Sequence, residues 1–296
     1  MDLPVVVGVD GSDSSLRAVD WAADEAVLRG APLRLVYASL WERYEGESLA
    51  EDLVTKPSDQ LMAEDVVAVA AERAHRRQPG LKVTTDVVPE EPEYALVHES
   101  REAAVLVLGS RGRSGFVEML LGSVGLAVAA HAHCPVIVLR GSHDNRVRTG
   151  AGGRIVLGVG GREAVRFAVR EAGLRGAEVD ALRAWRAPAR ETTDHPPPDF
   201  VRGYPQPSGE PARLHEQEAS DTLEEALRDV PQQVRVHRRT VEGPARQVLL
   251  AASHTADLLV VGARRNTEHL GLQLGRVAHG VLHHAACPVA VVPEPT

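Results

Sequence analysis

The sequence predicts an α/β chain made of two tandem open parallel sheets, each five-stranded, with helices on both faces in a Rossmann-like arrangement. Three observations predict it. Short Val, Leu and Ile runs alternate with stretches of helical periodicity, the pattern of β-α-β units whose strands are buried on both sides. The second half repeats the first. Val105-Leu-Val-Leu-Gly109 answers Leu258-Leu-Val-Val-Gly262, and Cys134-Pro-Val-Ile-Val-Leu139 answers Cys287-Pro-Val-Ala-Val-Val292, both at an offset of 153 residues. Val7-Gly8-Val9-Asp10-Gly11 answers Leu157-Gly158-Val159-Gly160-Gly161 at an offset of 150. Finally, 296 residues suffice for two domains, each burying its own core.

The first domain is read as 1–141, the second as 154–296, and the polar, glycine-rich stretch 142–153 as the linker. In the first half, strands are expected over 4–9, 33–38, 82–88, 104–109 and 135–139, with helices in the gaps. The first helix follows Asp10-Gly11-Ser12, carries Leu16, Val19, Ala23, Ala26 and Val27 on one face, and stops at Gly30. Its counterpart carries Val165, Ala168, Val169 and Ala172. Segments 41–58 and 186–211 read as irregular, and the latter, rich in proline, as a surface excursion or lid.

Composition narrows the function. A net charge of −8 argues against nucleic acid or an anionic membrane as partner, since both need a positive face. Aromatic residues make up 3%, so platforms for stacking bases are scarce. No apolar run approaches the roughly 20 residues of a membrane span, and Val5-Val-Val-Gly-Val9 follows the N-terminus with no signal-peptide pattern, which makes the cytoplasm the expected location. Cys134 and Cys287 each precede a Pro-Val strand and read as buried structural thiols.

Ligands of open α/β sheets bind beyond the carboxyl ends of the strands, where strand order reverses. Val9-Asp10 after the first strand, Ala38 after the second and a glycine loop after the fourth converge there. That loop, Gly109-Ser-Arg-Gly112 followed by Gly122-Ser123, lies between a buried strand and a helix, where phosphates bind. Its glycines are expected to adopt φ > 0 and admit a ligand closely, with Ser123 as N-cap. Asp10 either faces a sugar or base, or caps the next helix in place of Ser12. Arg111 and Arg113 either supply guanidinium donors to a polyphosphate or are solvated loop residues.

Val7-Gly-Val-Asp10-Gly-Ser12, the spacing Gly-x2-Gly-x9-Gly-Ser over 109–123, and Cys134-Pro-Val-Ile-Val138 together resemble the universal stress protein family. The likeness covers both halves and is similar to the tandem members of actinobacteria, with the ATP-binding subgroup's glycine spacing in the first half. It implies that Gly8, Val9, Asp10 and Ala38 line the adenine and ribose side. It also implies that Gly109 and Gly112 approach ribose and phosphates, and that Gly122, Ser123 and Val124 hold phosphate oxygens, with magnesium as the accompanying cation. The family's terminal strand commonly mediates pairing, so the halves either mimic a dimer within one chain or two chains form a homodimer.

The second half departs from this pattern: Asp10 becomes Gly160, Gly112 becomes Arg265 and Ser123 becomes Arg276, while Gly262 and Gly275 remain. An arginine forced into a left-handed glycine conformation costs roughly 1–2 kcal/mol. Loss of the standard site is the favoured reading; the rival is that Arg264, Arg265 and Arg276 bind another anion. His279 and His283, four apart, share a helix face, but the first half has Leu126 and Ala130 there, and a helix-end histidine serves better than a metal ligand. The expected function is a nucleotide-dependent stress-response or regulatory protein with an unidentified protein partner. The alternatives are a slow magnesium-dependent ATPase or phosphotransfer enzyme, and a nucleotide-free interaction module.

Overall fold

The computed structural model describes residues 3–40, 58–110, 121–139, 153–186, 210–264 and 274–295. The first half contains β1 (Val5–Gly8), α1 (Asp13–Arg29), β2 (Leu33–Ala38), α2 (Ser58–Arg77), β3 (Val83–Val88), α3 (Pro92–Glu99), β4 (Val105–Gly109), α4 (Ser123–His131) and β5 (Val136–Leu139). The second contains β6 (Arg154–Gly158), α5 (Arg162–Arg175), β7 (Glu178–Trp185), α6 (Glu210–Ala226), β8 (Val236–Glu242), α7 (Ala245–Ser253), β9 (Leu258–Arg264), α8 (Arg276–His284) and β10 (Val289–Glu294). The two irregular segments and the linker fall almost wholly outside the described residues. No helix among the described residues is long and apolar enough to cross a membrane.

Each half is a parallel five-stranded sheet, ordered β3-β2-β1-β4-β5 and β8-β7-β6-β9-β10. The two terminal strands pair antiparallel, Val136 with Val291, Ile137 with Ala290 and Val138 with Val289, so ten strands form one sheet. Of the two arrangements left open by the sequence, the halves pair within the chain, and both terminal edges are used up in doing so. Alternation along each strand sorts the core into two layers. Val5 and Val7 face α1 and α2, while Val6, Leu106 and Leu108 face α3 and α4.

The ends of α1 follow from its sequence. Ser12 accepts the Ser15 N–H at 3.1 Å, and Gly30 closes the helix in the left-handed conformation at φ 64°. Val19, Ala23 and Ala26 are buried as expected, but Val27, one position beyond the alanine stripe, is 49% exposed. Cys134 and Cys287 are buried free thiols, and desolvation pushes both up to about 12.

Where the halves meet, the repeat carries a motif not singled out from the sequence: Glu25-Ala-Val-Leu-Arg29-Gly30 in α1 and Glu171-Ala-Gly-Leu-Arg175-Gly176 in α5. Arg29 Nε donates to Glu25 at 2.6 Å and its Nη2 to Glu171, while Arg175 Nη2 donates to Glu25 at 2.6 Å and its Nη1 pairs with Glu171. Both glutamates are fully buried and the arginines nearly so. The guanidinium of Arg29 lies 5.8 Å from the Phe167 ring and that of Arg175 lies 5.5 Å from Trp21, which closes the cluster from water.

Breaking one member of a buried charge cluster leaves an uncompensated ion, which costs about 3–5 kcal/mol. Glu25→Gln should lower the urea-unfolding free energy by about that much, whereas replacing all four residues together with Met and Leu should recover most of it. The high thiol pKa values predict that Cys134 and Cys287 resist alkylation by iodoacetamide at neutral pH in the folded chain and react once it is unfolded by urea.

Candidate functional site

The site opens at the carboxyl ends of β1, β2 and β4, where the order of the first sheet reverses. Past Gly8, the Val9 N–H still reaches the Val36 carbonyl at 2.9 Å, so the chain stays in the sheet for one more residue before turning. Asp10 Oδ1 accepts the Ser12 N–H at 3.0 Å, an Asx turn that holds the start of α1, while Ser12 itself is the cap. Asp10 therefore stiffens the turn at the cleft wall. Gly11, at φ 80°, is the glycine here that needs left-handed freedom.

The other glycines serve differently from the sequence expectation. Gly109 does not adopt φ > 0; a Cβ on it would fall 2.2 Å from Ser14 Oγ and 2.7 Å from the Ser14 backbone, so its missing side chain lets the start of α1 seat on β4. Gly8 likewise admits Leu108 and Leu96. Gly122 has φ −63° and ψ 154° and is itself the N-cap of α4. Ser123 is thus the first helical residue, and the expectation that it caps the helix is corrected: the chain enters the helix one residue earlier, because the Gly122 N–H is drawn to the Ser110 carbonyl at 3.2 Å. No side chain caps α4 and its first turn has no acidic residue, so its leading N–H groups face the cleft with a positive field.

Together these segments enclose a cleft of about 190 Å³. Gly8, Val9, Asp10, Ala38, Gly109, Gly122, Ser123 and Val124 all line it; Arg111, Gly112 and Arg113 lie outside the described residues. Ser15, Val36, Pro92, Leu96 and Leu108 line it too and were not anticipated. Pro92 and Leu96 come from α3, whose helical pattern gives no hint that its first turn reaches the cleft.

The equivalent cleft of the second half is of similar size, about 210 Å³, and differently furnished. Gly160 stands at the Asp10 position, and Arg183 Nη1 donates to the Val159 carbonyl at 3.0 Å. The Glu294 carboxylate accepts the Glu163 and Ala164 N–H groups at 3.2 and 3.0 Å, and it fills the space a side chain on Gly161 or Gly262 would need. Arg276 is the first residue of α8, behind Gly275 at φ −60°, in the place Ser123 holds in the first half. Arg265 lies outside the described residues.

One contact crosses the halves beside the first cleft: the Leu121 N–H donates to His283 Nδ1 at 3.3 Å, and His279 packs 4.5 Å from the His283 ring. Histidines 131, 283 and 284 sit in the last turns of α4 and α8, where the helix dipole favours them.

With the fold and cleft in place, the chain can be set beside known proteins. The family model described as the universal stress protein family matches residues 3–140 and again 153–293. A universal stress protein of Mycobacterium tuberculosis is 32% identical over a 309-residue alignment that covers 97% of this chain and 96% of the relative. One from Mycolicibacterium smegmatis is 30% identical, covering 97% and 96%. The crystal structure of a universal stress protein from Archaeoglobus fulgidus shares the fold with a TM-score of 0.66 at 17% identity, over 99% of this chain and 98% of that one. Two matches of the same family model, each spanning one repeat, and relatives similar over nearly the whole length lead to one conclusion: the chain belongs to the universal stress protein family, as a tandem of two such domains.

Proposed function

We propose that the first half binds an adenine nucleotide, ATP in the first instance, and that occupancy sets the conformation or partner choice of a stress-response protein. The observation that supports this reading is the convergence of eight motif residues from four separate segments on one cleft at the ligand end of the sheet, against a helix start that no side chain caps. In this reading Val9, Asp10 and Ala38 take the adenine and ribose. Gly109, Gly122, Ser123 and Val124 take the phosphates, joined by Arg111, Gly112 and Arg113, with magnesium on the phosphate oxygens. Binding that favours one state shifts the population by its differential affinity, so regulation needs no turnover. A homodimer would have to form elsewhere than through the terminal strands, which pair with each other inside the chain.

Calorimetry of the full chain with ATP tests the reading, and one molecule per chain is expected. Two equivalent molecules would overturn the asymmetry between the halves, and silence at millimolar adenylate would overturn the reading itself. Gly122→Glu separates binding from folding, because nothing lies within 4 Å of a side chain added there. A carboxylate at the α4 start should stabilise the fold by about 0.3–1 kcal/mol while repelling the phosphates. Thermal unfolding should move up slightly while ATP affinity falls about tenfold or more, and unchanged affinity would place the phosphates elsewhere.

A further inference from the structure

We propose that the second half carries an anion site of its own, built from Arg186, Arg246 and Arg276, for a small molecule bearing two or more phosphoryl groups. These three side chains line one pocket of about 400 Å³ with Pro244, Ala245 and Val277. Arg186 follows β7, Arg246 lies in the first turn of α7, and Arg276 opens α8. Arg246 is seated there by the chain itself: a Cβ on Gly280 would fall 2.4 Å from Arg246 Cδ, so glycine in α8 makes room for the arginine stem.

Three features separate this cluster from ordinary surface charge. First, three exposed arginines converge on one pocket, and none of them makes a hydrogen bond or ion pair among the described residues. Three unneutralised guanidinium groups converging on one pocket repel one another in the empty chain, an arrangement that an anion would relieve. Second, α7 and α8 both start at the pocket with no side-chain cap and no acidic residue in the first turn, so two sets of helix N–H groups add to the positive field. Third, the repeat places Leu40, Tyr94 and Ser123 at the equivalent positions of the first half, and Gly160 in place of Asp10. Three neutral positions have become arginines and one carboxylate is gone, in a chain of net charge −8.

The ligand class follows from the donor set. Each guanidinium offers a fork matched to a phosphoryl group, and a pocket of about 400 Å³ lined by three of them has room for two or more such groups. The pocket shares Ala245 and Val277 with the 210 Å³ cleft, whose floor is Val159, Leu182, Leu249 and Val261, so an organic part of the ligand has an apolar bed beside the charge. The nucleotide arrangement proposed for the first half is not repeated, because Gly160 stands in place of Asp10 and Arg276 in place of Ser123.

The test is titration of the full chain, its first cleft saturated with ATP, with inorganic pyrophosphate at about 0.15 M salt, where weak surface attraction is largely screened. Wild type should bind, and R246Q/R276Q should bind at least tenfold more weakly with unchanged thermal midpoint and unchanged ATP affinity. R246K/R276K keeps the charge but loses the forks and should fall between. R166Q/R228Q, which removes the same charge from remote exposed sites, should bind as wild type does. The site is refuted by absence of pyrophosphate binding, by full binding in R246Q/R276Q, or by an equal loss in R166Q/R228Q.

Discussion

Four charges buried where two repeats touch set the terms for the rest of this molecule. Glu25, Arg29, Glu171 and Arg175 are tolerable away from water only as a set, since each arginine bridges its own glutamate and the one across the interface. Each half carries its own i,i+4 pair, and bringing the halves together takes all four charges out of water, which the two cross-interface contacts offset. A shifted placement of the halves would leave one of these ions buried and unpaired, which an apolar patch would not.

That fixed placement has consequences at the cleft. With the two sheets fused, α8 of the second half lies behind the segment that opens α4 of the first, and His283 accepts the Leu121 N–H one residue before the Gly122 cap. The first cleft is therefore shaped partly by the second domain. The same backbone plan gives two clefts of similar size, but side chains decide what each can hold: an aspartate-braced turn in one, Gly160 and Arg183 in the other. The two halves share the frame, which depends on Val and Leu alternation, and differ at residues on the rim of the clefts.

The glycines show how one motif can hide several physical demands. Gly109 and Gly122 belong to one spacing pattern, yet the first yields to the Ser14 backbone and the second borders open space at an extended φ. Only Gly11, Gly30, Gly176 and Gly243 among the described residues need the left-handed region. A spacing pattern records which positions lack a side chain but not whether a helix, a turn or a ligand requires the gap.

What the sequence determined by itself was local or self-repeating. Strand alternation, the Ser12 and Gly30 ends of α1, the burial of Cys134 and Cys287, and the doubling of the chain depend on a residue and its near neighbours, and all were legible. So was the gathering of eight motif residues around the first cleft, since strand ends in a parallel sheet fall on one side whatever the loops do. Tertiary structure alone decided the choice of Gly122 over Ser123 as cap, the seating of Glu294 on α5, the meeting of Glu25 with Arg175, and the convergence of Arg186, Arg246 and Arg276. Each of these joins residues far apart in the chain, and charge and hydrogen bonding act through space: a charged side chain looks the same in the sequence whether it faces water or the partner that neutralises it.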